Sequence, residues 1–247
     1  MGEVTFTFVG TGDPLGSGGR LHTCFHVAAP SGRFLVDCGA TTMTGLKREG
    51  IDRNAIEAIL VTHLHGDHIG GIPYFVLDAQ LVAKRTAPLV IAGPPGLADR
   101  LRRAMDVMFP GLSDVEQRFE IRIVELEAGR RTAVGPVDVT PFEVVHACGD
   151  PPYALRLEVD GRTLAYSGDT EWTDALIDVA RDANLFVCES YFYEKEIPNH
   201  LDYRTLWAHR DELECDRLVI THMSEDMLSR LSEVELEPAA DGKRIVV

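Results

Sequence analysis

Long apolar segments are missing from the sequence. No run of about 18 consecutive apolar residues, the length that spans a bilayer, is present. The first residues, Met-Gly-Glu-Val-Thr-Phe, lack the basic region and the apolar stretch of a secretion signal. From these two absences we expect a cytoplasmic protein without a membrane-spanning segment.

Cysteine is scarce and irregularly placed. The chain has five cysteines, an odd number, and no two of them form a Cys-x-x-Cys pair. A disulfide framework needs cysteines that can all be paired, and a thiolate zinc knuckle needs cysteines that lie close together. The sequence therefore argues against both kinds of stabilisation.

Positive charge is in short supply. The chain has 24 Lys+Arg against 39 Asp+Glu, which gives a formal net charge of −15. Such a surface repels a phosphate backbone at long range, so we do not expect binding of long nucleic acid. A local site for one small anion remains compatible with this charge, because bound metal ions bring their own positive charge. We therefore expect a small anionic substrate.

The order of sequence patterns is that of an α/β protein. The chain has 247 residues, of which 45% are hydrophobic, and this fits one large domain over residues 1–247. Short β-rich runs alternate with helical patterns such as residues 70–84, and Asp160-Gly161 predicts a two-residue hairpin turn. Periodicity alone indicates a mixed sheet. Two β-rich halves with helices outside suggest a four-layer αββα sandwich.

The densest group of chemically active side chains lies in residues 62–71, Thr-His-Leu-His-Gly-Asp-His-Ile-Gly-Gly. The apolar run 59–61 precedes it and predicts a buried strand. Side chains two residues apart on a strand point the same way, so His63 and His65 can share one metal, while Asp67 and His68 face a second. Zinc favours imidazole nitrogen and carboxylate oxygen. A solvated histidine-rich loop, the alternative, would rarely follow so apolar a strand.

The spacing His63-x-His65-x-Asp67-His68 resembles the signature of the metallo-β-lactamase superfamily. The early turn Asp37-Cys38-Gly39 also resembles that family, so the resemblance covers nearly the whole chain. Later segments resemble the remaining family motifs, namely Val144-Val145-His146, Tyr166-Ser167-Gly168-Asp169-Thr170 and Val219-Ile220-Thr221-His222. The resemblance is to the ribonuclease Z and cyclic phosphodiesterase branch. It implies a metal-dependent hydrolase with two mixed β-sheets packed face to face and helices outside.

The resemblance also implies a two-metal site. The implied ions are two Zn²⁺, with Mn²⁺ or Fe²⁺ as alternative occupants. By the resemblance, His63, His65 and His146 bind one ion, Asp67, His68 and His222 bind the other, and Asp169 bridges them. Two such ions can hold a bridging hydroxide at neutral pH and clamp the attacked group, which suits a phosphodiester. Asp67 would also help to orient the water, so we expect it to be catalytic as well as metal-binding.

His200 points to a phosphodiesterase branch of the superfamily. It precedes a predicted helix over residues 202–213 and lies between the implied bridging aspartate and the last histidine. By the resemblance, it would stabilise the transition state or protonate the leaving oxygen, a task that suits a histidine. The alternative is a histidine near a helix start without chemistry. Ribonuclease Z enzymes usually carry a long tRNA-binding arm before the bridging aspartate, and residues 147–168 leave no room for one.

Three further residues have weaker signals. Arg20 and His22 follow the glycine-rich segment 16–19, which can place them near a substrate phosphate or can simply be a flexible loop. Asp37 is a candidate partner for a metal-binding histidine. The alternative for Asp37 is an ordinary turn residue at the end of a strand.

Rival functions remain compatible with the sequence. Lactone or thioester hydrolysis uses a similar ligand set on the same scaffold, but it does not call for His200. A ribonuclease Z-like tRNA 3′ endonuclease is a second alternative, and a non-catalytic metal-binding sensor is a third. The complete ligand set argues against the sensor. The sequence leaves a homodimer open.

Overall fold

The computed structural model describes residues 2–247. The strands are β1 Thr5–Gly10, β2 Cys24–Ala29, β3 Gly32–Val36, β4 Ala58–Leu60, β5 Leu89–Gly93, β6 Ile121–Glu125, β7 Thr132–Val134, β8 Val137–Glu143, β9 Tyr153–Val159, β10 Arg162–Tyr166, β11 Leu185–Glu189, β12 Leu218–Thr221, β13 Glu237–Pro238 and β14 Arg244–Val246. The helices are α1 Thr42–Arg48, α2 Gly66–Ile69, α3 Ile72–Leu81, α4 Leu97–Met108, α5 Ala175–Ala180, α6 Tyr203–His209 and α7 Glu225–Ser229.

The strands form two seven-stranded mixed sheets. The first has the order β14-β1-β2-β3-β4-β5-β6, and the second has the order β13-β12-β11-β10-β9-β8-β7. In each sheet one half is antiparallel and the other half is parallel.

Three apolar clusters divide the molecule into layers. The central cluster joins the two sheets face to face and includes Phe8, Phe25 and Tyr166. A second cluster packs α3 and α4 on the outer face of the first sheet, and a third packs α5 and α6 on the outer face of the second. The predicted four-layer αββα sandwich is therefore confirmed.

Local sequence signals are reproduced where they are strong. Asp160 and Gly161 have φ values of 47° and 77°, and Val159 pairs with Arg162 across a two-residue turn between β9 and β10. The predicted helix over residues 70–84 is shorter and spans Ile72–Leu81. Among residues 2–247, no helix is long and apolar enough to cross a membrane.

Helix α1 was not predicted, and tertiary packing explains it. Its segment contains Gly45, which lowers helix propensity. A Cβ on Gly45 would lie 2.5 Å from Cγ1 of Val9 and 2.9 Å from its carbonyl oxygen. The glycine therefore lets α1 lie directly on β1, a contact that no local pattern indicates.

Candidate metal centre

Strand ends bring the candidate ligands together. His63 and His65 follow β4, His146 follows β8, Asp169 follows β10, and His222 follows β12. Strands β8, β10 and β12 run in the same direction, so their carboxyl ends meet at one edge of the second sheet, opposite the end of β4. Side chains that are far apart in sequence thus converge on one cleft, the usual place for ligands in open α/β sheets.

The first group of donor atoms belongs to His63, His65 and His146, whose ligand atoms lie within 4.8 Å of one another. Nδ1 of His65 lies 3.1 Å from Nε2 of His146. Two nitrogens that bind one tetrahedral zinc at 2.0–2.1 Å lie about 3.3 Å apart. The separation fits two ligands that face a common ion. His65 and His146 are also the two partly exposed members, so the cleft opens on their side.

The second group consists of Asp67, His68, Asp169 and His222, again within 4.8 Å. Oδ2 of Asp169 lies 3.4 Å from Nε2 of His68 and 3.3 Å from Nε2 of His222. The same oxygen lies 3.9 Å from Nε2 of His63 in the first group. Asp169 therefore occupies the middle of the cluster and faces both groups of donors.

Hydrogen bonds on the far side of the rings fix their orientation. The Nδ1 atoms of four histidines contact oxygen atoms, namely His63 to Thr62 Oγ1 at 3.1 Å, His68 to Asp37 Oδ2 at 2.7 Å, His146 to the Asn199 carbonyl at 2.7 Å and His222 to Thr23 Oγ1 at 3.3 Å. With Nδ1 engaged, Nε2 of each ring is directed into the cleft. This is the arrangement in which metal-binding histidines are usually held.

Unpartnered polar atoms test whether metal ions fit this cluster. Within residues 2–247, the buried atoms without a hydrogen-bond partner include Nε2 of His63, His68 and His222, Oδ2 of Asp67 and Oδ1 of Asp169. Leaving so many buried polar atoms unpaired is costly, unless a further partner occupies the space between them. Nitrogen and carboxylate oxygen donors are the ligands that zinc favours. The cluster can therefore hold metal ions.

The protonation states agree with that conclusion. Burial lowers the pKa of His63 and His222, which keeps both imidazoles in the neutral form that binds metals. Burial alone would raise the pKa of Asp169, but the imidazoles of His222 and His68 outweigh it and hold that pKa well below its ordinary value. Without a metal, the carboxylates around His68 raise the pKa of that imidazole. The cleft thus presents the ionised carboxylate of Asp169 beside the neutral imidazoles of His63 and His222, a combination suited to a cation.

Asp37 holds the segment 62–68, which carries four of the candidate ligands, through hydrogen bonds. Its fully buried carboxylate contacts Nδ1 of His68 and accepts hydrogen bonds from the backbone nitrogen and hydroxyl of Thr62. Asp37 has a φ of 56°, which starts a turn that packs on residues 67 and 68. A Cβ on Gly39 in this turn would lie 2.1 Å from the carbonyl oxygen of Asp67. The Asp-x-Gly turn therefore fits only a glycine at its third position.

His200 lies beside the cluster and is paired with Glu189, a residue that the sequence analysis did not single out. Its Nδ1 is 3.0 Å from Oε2 of the fully buried Glu189, and its ring centre is 5.1 Å from that of His146. Burial alone would lower the pKa of His200, but the hydrogen bond and charge of Glu189 outweigh it and raise that pKa to about 9. The sequence feature that could have identified Glu189 is its position as a carboxylate at the end of an apolar strand.

The two remaining candidates, Arg20 and His22, follow the glycine-rich segment 16–19. Nη1 of Arg20 donates to Oγ1 of Thr11 at 3.0 Å and to the carbonyl of Ala239 at 2.7 Å. The guanidinium thus ties residues of the glycine-rich loop to the segment after β13. His22 packs against the turn at Gly39. Substrate binding by Arg20 and His22 stays a prediction.

Comparisons with known proteins place the chain in a family. A family model described as "Anti-Pycsar protein Apyc1" matches residues 4–237. The chain belongs to this Apyc1 family. A Ribonuclease Z of Methanosarcina acetivorans is 25% identical to this Apyc1-family chain over 295 residues, covering 98% of the chain and 93% of that protein.

Solved structures resemble the Apyc1-family chain over almost its full length. The short form of human tRNase Z has a TM-score of 0.77 at 25% identity, and it covers 98% of each chain. The metallo-β-lactamase fold protein YhfI from Bacillus subtilis has a TM-score of 0.78 and covers 98% of this chain and 99% of that one. At 18% identity, YhfI shows the fold alone. The predicted superfamily is confirmed: this Apyc1-family chain has the fold and the relatives of metallo-β-lactamase-fold hydrolases.

Proposed function

We propose that the protein is a metal-dependent phosphodiesterase that hydrolyses a small phosphodiester, cyclic or nucleotide-like. The observation that carries the proposal is the placement of His200. It lies beside two donor groups that contain seven candidate ligands without it, and it is held by a buried carboxylate. Its imidazole also lies within 4.8 Å of ligand atoms of His146 and Asp169. A spare imidazole at this position suits a reaction whose leaving alkoxide needs a proton or a cationic partner.

Two divalent ions, most naturally Zn²⁺, complete the proposed centre. His63, His65 and His146 would hold one ion, Asp67, His68 and His222 would hold the other, and Asp169 would serve both groups. When bound, the ions supply positive charge against the phosphoryl oxygens and lower the pKa of the attacking water. The neutral imidazoles of His63 and His222 and the ionised carboxylate of Asp169 make the cluster suitable for cations.

The chain's own residues divide the remaining tasks. Asp67, whose Oδ2 has no hydrogen-bond partner among the described residues, is suited to orienting the attacking water. His200 stands at the open side of the cluster and donates a proton to the leaving oxygen through Nε2. Glu189 holds Nδ1 of His200 and thereby fixes which nitrogen faces the substrate.

Replacing Asp37 with asparagine should weaken metal binding without unfolding the chain. Asparagine offers one acceptor oxygen where aspartate offers two, so it cannot serve both Thr62 and Nδ1 of His68. Loss of such a supporting contact typically lowers metal affinity about 10–100-fold. Competition with a chromogenic zinc chelator measures this change.

The matched control for that variant is Asp160→Asn. Asp160 also has a positive φ, 47°, but it lies in the hairpin turn between β9 and β10. It should keep the zinc affinity of the unmodified protein. If Asp37→Asn bound zinc as tightly as this control, Asp37 would have no role in holding the ligand His68.

A small substrate is favoured over a tRNA precursor. Between His146 and Asp169, the hairpin of β9 and β10 takes up most of the chain. The alignment with the Methanosarcina ribonuclease Z runs over 295 residues, whereas this chain has 247, so that relative contains segments that are absent here. The net charge of −15 further disfavours a long polyanion.

A substrate panel tests the proposed function. The zinc-loaded protein is assayed with bis-p-nitrophenyl phosphate, cyclic nucleotides, lactones, thioesters and a precursor tRNA. We expect hydrolysis of the small diesters and no efficient maturation of the tRNA 3′ end. Turnover of lactones or thioesters without diester turnover would replace the proposal with acyl hydrolysis, and efficient tRNA cleavage would replace it with the endonuclease.

A further inference from the structure

Tyr191 stands over the candidate metal centre and is held there by its backbone. It follows β11 by two residues, directly after Glu189 and Ser190. Its backbone nitrogen donates to the carbonyl of Leu201 at 2.7 Å, and its carbonyl accepts from the backbone nitrogen of Ser224 at 2.9 Å. These bonds join the segments that carry His200 and His222. The position of the Tyr191 ring is therefore coupled to both histidines.

The aromatic ring lies parallel to the imidazole of His200. The two ring centres are 4.6 Å apart with an angle of 25° between their planes. The ring centre of His222 lies 5.9 Å from that of Tyr191, at 37°, and 5.7 Å from that of His200. Tyr191 thus packs against both the proposed proton donor and a proposed metal ligand, so it limits rotation of the His200 ring about its hydrogen bond to Glu189.

The hydroxyl group of Tyr191 belongs to a ring that packs on His200 and His222, and it has no hydrogen-bond partner among the described residues. The ring is half-buried, and no hydrogen bond within residues 2–247 involves this hydroxyl. A phenol has an ordinary pKa of about 10, so the hydroxyl keeps its proton at neutral pH. A protonated hydroxyl beside a metal cluster is a donor for an anionic ligand.

We propose that Tyr191 is a substrate-contacting residue of this centre. Its hydroxyl donates a hydrogen bond to a phosphoryl oxygen of the bound diester, and its ring keeps the imidazole of His200 in the plane that directs Nε2 at the leaving oxygen. This proposal rests on the proposed phosphodiesterase function. The two tasks belong to different parts of one side chain and can be separated by substitution.

Tyr191→Phe removes the hydroxyl and keeps the ring. The probe is inorganic phosphate, whose binding to the zinc-loaded protein is measured by isothermal titration calorimetry. Loss of one hydrogen bond to a charged group should weaken phosphate binding about tenfold to hundredfold. The matched control is Tyr74→Phe on α3, where the ring packs on Phe109 away from the centre, and it should bind phosphate as the unmodified protein does.

Tyr191→Leu removes the ring as well. It should reduce turnover of diesters with poor leaving groups much more than turnover of p-nitrophenyl diesters, whereas Tyr191→Phe should reduce both equally. A general packing defect would not distinguish the two leaving groups. An equal loss on both substrates in Tyr191→Leu would overturn the role of the ring.

The outcomes separate this proposal from the proposed function. Phosphate affinity in Tyr191→Phe within about twofold of the control would overturn the role of the hydroxyl. If the unmodified protein bound phosphate but hydrolysed no diester, the phosphodiesterase proposal would fail, while the calorimetric comparison would still decide whether the hydroxyl contacts the anion.

Discussion

Replacing Asp169 with alanine is expected to abolish hydrolysis. One carboxylate oxygen of Asp169 lies within 3.9 Å of Nε2 of His63, His68 and His222, so its loss leaves both groups of donors without their shared member. The side chain is buried. After its loss, Asp67 would be the only carboxylate left among the candidate ligands. We expect loss of bound zinc and a fall in turnover of at least about 10³-fold, because metal ions provide several kcal/mol of transition-state stabilisation.

Zinc content by mass spectrometry and the diester turnover rate measure this prediction together. Circular dichroism checks that the Asp169→Ala chain is folded. We expect it to be folded, because Asp169 follows the end of β10 and contributes little to the apolar clusters. The matched control is Asp178→Ala on α5, an exposed aspartate that pairs with Arg181. Full activity in Asp169→Ala would show that Asp169 is not the shared ligand.

Replacing His200 with alanine should separate proton donation from metal binding. The two donor groups around Asp169 are complete without His200, which lies near His146 and Asp169 but supplies neither group, so we expect the zinc content not to change. Loss of a general acid typically costs about 10²–10⁴-fold in rate. We expect a decrease of that size on alkyl diesters, whose leaving group needs a proton, and a much smaller decrease on p-nitrophenyl diesters, whose leaving group departs readily.

His209→Ala provides the control for this comparison. His209 stacks on Trp172 at the end of α6 and contacts Glu212, outside the cluster. It should leave the rates on both diesters unchanged. If His200→Ala lowered both rates equally and only slightly, His200 would have no part in the chemistry, and lactone or thioester hydrolysis would become the leading interpretation.

The ligand loop could be predicted because its information is local. His63, His65, Asp67 and His68 lie within six consecutive positions after an apolar strand, and strand geometry already places the first two on one side. The distant members were found through a family pattern at strand ends. Their convergence depends on the direction of β8, β10 and β12, which periodicity does not reveal.

Contacts between distant segments could not be predicted. The carbonyl of Asn199 holds Nδ1 of His146, and Glu189 holds His200, yet neither contact has a spacing signal. A backbone carbonyl carries no residue identity, so no sequence pattern can mark it. The short edge strands β7 and β13 were missed for a similar reason, since each exists only because a neighbouring strand is already in place.

Titration of metal-free protein with zinc, with bis-p-nitrophenyl phosphate turnover recorded at each step, tests the central claim most directly. The arrangement of two donor groups around Asp169 predicts that turnover is absent without metal, rises with bound zinc and reaches its plateau at about two ions per chain. Turnover that is independent of zinc, or absent at every zinc occupancy, would contradict a metal-dependent phosphodiesterase.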